Sequence, residues 1–164
     1  MSRVDVAAFR AAMARFPGAV TVVTARDGAE RRGITATAVC SVSAEPPSLL
    51  VCLNRRTGTC AAVQATGRFA VNLLAGDGGE LALVFAGATG ASGEAKFATG
   101  NWAEDGFGLP ALQDAVLGFS CEVAEMVEAG SHTVFIGHIA EIRHGEGPAL
   151  VYEQSRFHRL TPMG

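Results

Sequence analysis

Two β-rich runs, Ala115 to Met126 and His132 to Arg143, stand on either side of Ala129-Gly130-Ser131. Extended runs joined by a glycine turn predict a hairpin with long arms. A hairpin commits its strands to antiparallel pairing, because parallel neighbours need a crossover of about a dozen residues or more. The rest of the chain agrees with that choice. Ala19 to Ala25 is β-branched and unbroken, Arg26-Asp27-Gly28-Ala29-Glu30 carries an Asp-Gly turn, and Arg32 to Cys40 reads as the returning strand. Ser43 to Pro47 is expected to interrupt the ladder, since two successive prolines lack donors and fix φ, and a third strand follows over Ser48 to Asn54. Arg68 to Leu74 alternates too little for an exposed ribbon and suits a strand buried on both faces. Short strands at Ala149 to Tyr152 and Arg156 to Leu160 complete the set.

Helical signals are few. Val6, Phe9, Met13 and Phe16 recur at helical spacing within residues 4 to 16, with Asp5 as N-cap and Pro17-Gly18 as stop, so this amphipathic helix is expected to pack on the core. Thr57 to Thr66 is alanine-rich, with Thr57 and Thr59 placed to cap it and Gly67 to end it. Glu80 to Ala86 predicts a third helix. Gly87 to Gly108 reads as a loop holding Gly87, Gly90, Gly93, Gly100, Gly106 and Gly108. Such a length inside a compact domain goes with function or mobility. Short strands, tight turns and two or three helices imply a mainly β protein, an antiparallel barrel with a few covering helices. No repeat or composition break divides residues 1–164, which read as one domain.

Composition removes whole classes of function. At 164 residues and 49% hydrophobic the chain can build one core, and its balance of 13 basic against 16 acidic residues leaves −3 with no basic stripe for nucleic acid or an anionic membrane. No run approaches the roughly 18 apolar residues of a membrane span. Met1-Ser2-Arg3-Val4-Asp5-Val6 has no secretory pattern, so a cytoplasmic location is expected. Cys40, Cys52, Cys60 and Cys121 form no C-x-x-C pair and no zinc-spaced set with histidine. No metal is expected, and the thiols read as buried hydrophobes, with Cys52 the candidate to face a ligand. G-x-G-x-x-G, H-E-x-x-H and G-x-S-x-G are absent, and Lys96, the only lysine, lacks a Walker A context. His138, His144 and His158 read as surface or structural residues, and Arg31-Arg32 as a solvated pair.

What remains is a set of small hydroxyl residues, Thr35, Thr37, Ser41, Ser43, Thr57 and Thr59, on and beside apolar strands. Asn54-Arg55-Arg56-Thr57-Gly58-Thr59 ends a strand and opens a helix. Helix-start donors, hydroxyls and two guanidiniums fit either a phosphate cradle or an ordinary solvated cap.

Phe16-Pro17-Gly18-Ala19-Val20-Thr21-Val22-Val23-Thr24, then Gly33-Ile34-Thr35-Ala36-Thr37-Ala38-Val39-Cys40-Ser41-Val42-Ser43 to Pro46-Pro47, and Leu50-Val51-Cys52-Leu53-Asn54-Arg55, resemble the flavin reductase family. Gly67 to Leu74, Lys96-Phe97 with Trp102, Gly130-Ser131-His132-Thr133-Val134-Phe135-Ile136-Gly137, and Leu150-Val151-Tyr152 before Arg156-Phe157 extend the resemblance from about Phe9 to Leu160. It implies an FMN-binding split barrel, a Greek-key antiparallel β-barrel that dimerises and holds flavin near the subunit interface. It also implies an NAD(P)H-dependent enzyme that reduces FMN or FAD with NADH or NADPH and passes reduced flavin to a separate monooxygenase. Because the flavin carries the redox chemistry, such a chain needs no acid/base constellation.

Residue by residue, the resemblance places Thr35, Ala36, Thr37 and Ala38 on the strand along the flavin, and Cys52, Leu53 and Asn54 on the next flavin-contacting strand. It puts Arg55, Thr57 and Thr59 at the phosphate end, Lys96 and Phe97 in a loop closing over the flavin, and His132 at the nicotinamide face, where it orients the co-substrate. Where relatives often carry an acidic residue before that histidine, Ser131 stands here. Trp102 reads equally as a lid aromatic or a loop anchor. Two other functions fit the same fold: a flavin carrier without turnover, and a split-barrel oxidoreductase acting on another substrate.

Overall fold

The computed structural model describes residues 3–164, so Met1 and Ser2 of the leader reading lie outside the described residues. A seven-stranded antiparallel sheet forms the barrel wall. Its strands are β2 (Thr21–Asp27), β3 (Glu30–Ala36), β4 (Val39–Ala44), β5 (Pro47–Asn54), β6 (Arg68–Leu73), β9 (Leu117–Ala129) and β10 (His132–His144), ordered β3-β2-β6-β9-β10-β5-β4. The predicted hairpin is β9–β10, turning at Gly130 in the left-handed region (φ 61°) and pairing from His132 with Ala129 to His144 with Leu117. β1 (Gly18–Ala19), β11 (Leu150–Glu153) and β12 (Arg156–Arg159) make a small flanking sheet, and β7 (Trp102–Glu104) with β8 (Pro110–Leu112) a ribbon.

Three helices accompany the sheet: α1 (Val6–Met13), α2 (Gly58–Thr66) and α3 (Gly79–Phe85). Helix α2 follows its sequence signals. Thr57 caps it, its hydroxyl accepting from Cys60 N at 3.2 Å, and Gly67 closes it in the left-handed conformation (φ 68°). Helix α1 is capped by Asp5 as expected, but its packing role is corrected. None of its residues is buried, and Phe9 is 57% exposed, because no element among the described residues covers the apolar face.

Two further expectations change. The single strand read over Arg32 to Cys40 is two strands at opposite edges of the sheet. After Ala36 the chain runs out of partner, since β2 begins at Thr21 opposite that residue, and it crosses to β5, with Cys52 N donating to Ala38 O at 3.0 Å. The ladder also continues where a break was expected. Ser43 and Ala44 pair with Ser48 and Pro47, only Glu45-Pro46 forms the turn, and Pro47 takes the strand-start position where a missing donor is tolerated. The 87–108 loop is not structureless, for it holds a 3₁₀ segment (Gly93–Ala98) and β7.

The core has two parts. Inside the barrel, Val23, Val51, Leu53, Val63, Phe69 and Phe135 pack together with Cys60 and Cys121, and burial pushes the Cys121 thiol up to about 12. Under α3, Phe85, Phe97 and Trp102 form a triangle with ring centroids 5.0–5.3 Å apart. Buried Asn72 joins the layers, donating to Val22 O and accepting from Leu112 N.

Gly33 is the point where β3 meets this aromatic cluster. A Cβ there would lie 2.6 and 2.8 Å from two Phe85 ring carbons and 3.2 Å from Phe97 Cζ. Overpacking of that kind costs about 1–3 kcal/mol. Gly33→Ala is therefore expected to lower the thermal midpoint clearly, whereas Gly58→Ala, with its nearest neighbour at 3.5 Å, keeps the fold. Equal midpoints for Gly33→Ala and the wild type would contradict this packing.

Candidate functional site

Strand β3 pairs with β2 on one side only, and among the described residues no strand pairs with its other edge. Along an antiparallel strand the N–H and C=O of alternate residues point to the same side. Arg31 N meets Glu94 Oε2 at 2.8 Å and Gly33 O accepts from Lys96 Nζ at 3.2 Å, so the odd-numbered residues face the free edge. Thr37 O accepts from Val39 N. Thr35 lies between these engaged neighbours, its N–H and C=O turned to the open edge with no protein partner among the described residues. An unpaired strand edge is a ready template for a ligand with complementary donors and acceptors.

Two clefts lie along this edge and share Ile34. One, of about 210 Å³, is lined by Ile34 to Ala38, by Cys52, Leu53 and Asn54 of β5, and by His132. The other, of about 200 Å³, is lined by Arg32, Gly33 and Ile34, by Thr57, Gly58 and Thr59 at the start of α2, and by Gly93 and Lys96. The first is floored by small and apolar side chains, as a flat ring requires. The second offers helix-start donors and a guanidinium, as a phosphate requires. His132 pairs in register with Asn54 across β10 and β5, and its Nδ1 lies 2.8 Å from Ser131 Oγ.

Residues 13–161 match the family model of the flavin reductase like domain. The chain belongs to this flavin reductase family. It is 44% identical over 154 residues to the 4-hydroxyphenylacetate 3-monooxygenase reductase component of Pseudomonas aeruginosa, covering 93% of this chain and 91% of that protein. It is 41% identical over 159 residues to the FMN reductase (NADH) RutF of Ancylobacter novellus, covering 95% and 87%. Among solved structures, the Streptomyces globisporus NADH:FAD oxidoreductase SgcE6 in complex with NAD and FAD fragments superposes with a TM-score of 0.87 at 30% identity, covering 99% of this chain and 98% of that one. The architecture is accordingly the family's split barrel.

Against the flavin reductase pattern, the structure gathers most of the expected residues into the groove. Thr35, Ala36, Thr37, Ala38, Cys52, Leu53, Asn54 and His132 line the ring-sized cleft, and Thr57, Thr59 and Lys96 the phosphate-sized one. Burial, with Cys40 nearby, pushes the Cys52 thiol up, so it meets the cleft as a neutral group. The Thr35 hydroxyl is engaged outside the groove, donating to Ala82 O of α3 at 2.6 Å, which leaves its backbone as the groove-facing part.

Three residues are engaged otherwise than the resemblance implied. Arg55 lines neither cleft. It turns to the β9–β10 hairpin, where Nη1 donates to Gly130 O at 3.3 Å and Nη2 pairs with Glu128 at 3.1 Å. Phe97 is only 5% exposed and belongs to the aromatic triangle, its face covered by the Arg31 guanidinium at 4.7 Å. Lys96 lines the phosphate-sized cleft with its ammonium turned to backbone carbonyls. Its half-buried ammonium donates to Gly33 O and Phe85 O at 3.2 and 3.0 Å, and desolvation lowers its pKa. Trp102 is an anchor, with Nε1 donating to Thr99 O at 2.8 Å. Glu94, held below the usual carboxylate range chiefly by hydrogen bonds from Arg31, fastens the 3₁₀ segment to β3. The residue missed from sequence is Arg32. Strand alternation was the available signal, since Arg32, Ile34 and Ala36 share one face of β3 while Arg31 falls on the other.

Proposed function

We propose that this chain is an NAD(P)H:flavin oxidoreductase, reducing FMN or FAD by hydride transfer and supplying the reduced flavin to a separate monooxygenase component. The observation that carries it is the pair of adjoining clefts on the β3 edge, which share Ile34, one lined by the start of α2 and the other by Cys52, Asn54 and His132. A flavin supplies the redox chemistry there, taking a hydride from the dihydronicotinamide. The chain's own residues bind and orient. The start of α2 would hold the phosphate, the Thr35 backbone would meet polar atoms of the ring edge, and the small side chains of Ala36 and Ala38 would let the ring lie close to the strand. His132, in the wall of the ring-sized cleft beside Asn54, positions the nicotinamide, and Ser131 Oγ fixes its ring orientation in place of a carboxylate. Relatives named as a monooxygenase reductase component and as an NADH-dependent FMN reductase support the reading, and NADH is the expected reductant. A cytoplasmic location follows from dependence on that reductant pool.

The site sits beside an apolar face that favours a homodimer. On the outer side of β5 and β10, Leu50, Cys52, Val134 and Ile136 are half-buried, and Val127 of β9, paired with Val134, is exposed. These residues, and separately the bare face of α1, support a protein interface at this surface. Light scattering at micromolar concentration is expected to give twice the chain mass. A monomer would contradict an interface at this face.

Oxidation of NADH and NADPH by the purified protein is expected to depend on added FMN or FAD and to saturate in both substrates. Flavin binding with no oxidation of either nucleotide would favour a carrier instead. His132→Ala is expected to raise KM for the nicotinamide nucleotide by about tenfold and lower kcat, with flavin affinity near wild type. Unchanged kinetics would remove His132 from its positioning role.

A further inference from the structure

Helix α1 is too short to be stable alone. A helix of fewer than about 12 residues is marginal in water, and protein helices draw most of their stability from packing an apolar face. Helix α1 has eight residues, and the Val6, Phe9 and Met13 side chains of its apolar stripe are 65, 57 and 45% exposed. It is moored at its C-terminal end, where Ala14 O accepts from Gln154 N at 2.7 Å and Gly18 of β1 pairs with Tyr152. A Cβ on Gly18 would lie 3.0 Å from Thr37 Cβ, and Thr37 lines the ring-sized cleft. The helix thus leaves the body beside that cleft with its stripe uncovered.

A second uncovered face adjoins the same cleft. Directly paired residues project from the same side of a sheet. Val134 pairs with Cys52 and Val127, and Ile136 with Leu50 and Glu125, so all of them stand on the outer face of β5, β10 and β9. Two residues along that face from Cys52 and Val134, Asn54 and His132 join Cys52 in lining the ring-sized cleft. Charge matches across the two faces. Arg10 flanks the stripe of α1, Glu125 borders the apolar sheet face, and neither has an ionic partner among the described residues. The turn that moors α1 belongs to the flanking sheet and not to the sheet carrying this face, and within one chain the two faces stay apart.

We propose that α1 of a second copy lies across this sheet face, with Val6, Phe9 and Met13 on Leu50, Val134 and Ile136 and with Arg10 toward Glu125, and so forms the outer wall of the ring-sized cleft. A two-fold axis makes the exchange reciprocal, each copy covering the face and closing the cleft of the other. A chain with both an uncovered helix and an uncovered sheet face satisfies both in one self-complementary contact. This rests on the reading of that face as a homodimer interface and of the clefts as the flavin site.

The test places the photo-crosslinking residue p-benzoylphenylalanine at position 9, on the exposed stripe, where the barrel core is untouched. The full-length protein is irradiated at micromolar concentration, and the products are sized by denaturing electrophoresis and mapped by peptide mass spectrometry. The expected product has twice the chain mass and joins position 9 to the 48–54 or 132–138 segment of the other copy. A product of single-chain mass, a link between two α1 helices, or no link at all would overturn the proposal. Phe9→Glu is then compared with wild type by light scattering and by FMN titration. It is expected to shift the mass toward the single chain and to weaken FMN about tenfold, the scale of one buried apolar contact. An unchanged mass would overturn the exchange, and a single-chain mass with unchanged FMN affinity would overturn the part of α1 in the cleft. Protein that forms the expected crosslink yet binds no flavin would overturn the functional reading and leave the exchange standing.

Discussion

The free edge of β3 is the constraint on which the rest of the structure depends. A closed barrel would pair that edge and leave no backbone for a ligand. Here the chain leaves β2 after Ala36, spends Thr37 and Ala38 in crossing, and resumes at Val39 as the opposite edge of the sheet. The gap created by that crossing is walled by β5 on one side and opened at the far end by the start of α2. Both clefts of the candidate site are consequences of one missing strand pairing.

Holding an edge strand straight beside an open groove requires support from behind. Phe85, Phe97 and Trp102 provide it, with Gly33 allowing the rings to approach β3 and Lys96 tying α3's last carbonyl to Gly33. The Arg31–Glu94 pair fastens the 3₁₀ segment to the same strand. The glycine-rich stretch between Gly87 and Gly108 is therefore mostly a brace for β3. Its residues act on the groove by fixing the strand's position, which explains why Phe97 contributes from within the core.

Much of this was legible in the sequence. The β9–β10 hairpin followed from two extended runs around Gly130, and α2 from Thr57 and Gly67, because local turn and cap chemistry decides those features. The division of Arg32 to Cys40 between two sheet edges was not, since it depends on where β2 ends, a long-range fact. Arg55 and Arg32 show the same limit at the site. The phosphate end was read from neighbours along the chain, which favours Arg55, yet the residue facing the cleft comes from β3, across the fold. Helix α1 kept its predicted cap and lost its predicted burial, because periodicity reveals an apolar face and not which chain covers it.

The central claim is that flavin lies on the β3 edge with its ring against Thr35. Amide hydrogen exchange resolved to single residues, with and without FMN, tests it directly. The account predicts that the Thr35 amide exchanges freely in the flavin-free protein and becomes strongly protected with FMN, together with Gly58 and Thr59, while the Val22 and Val71 amides of the core remain protected in both states. Protection that leaves Thr35 unchanged and appears instead around Tyr152 and Phe157, on the other side of β3, would contradict it.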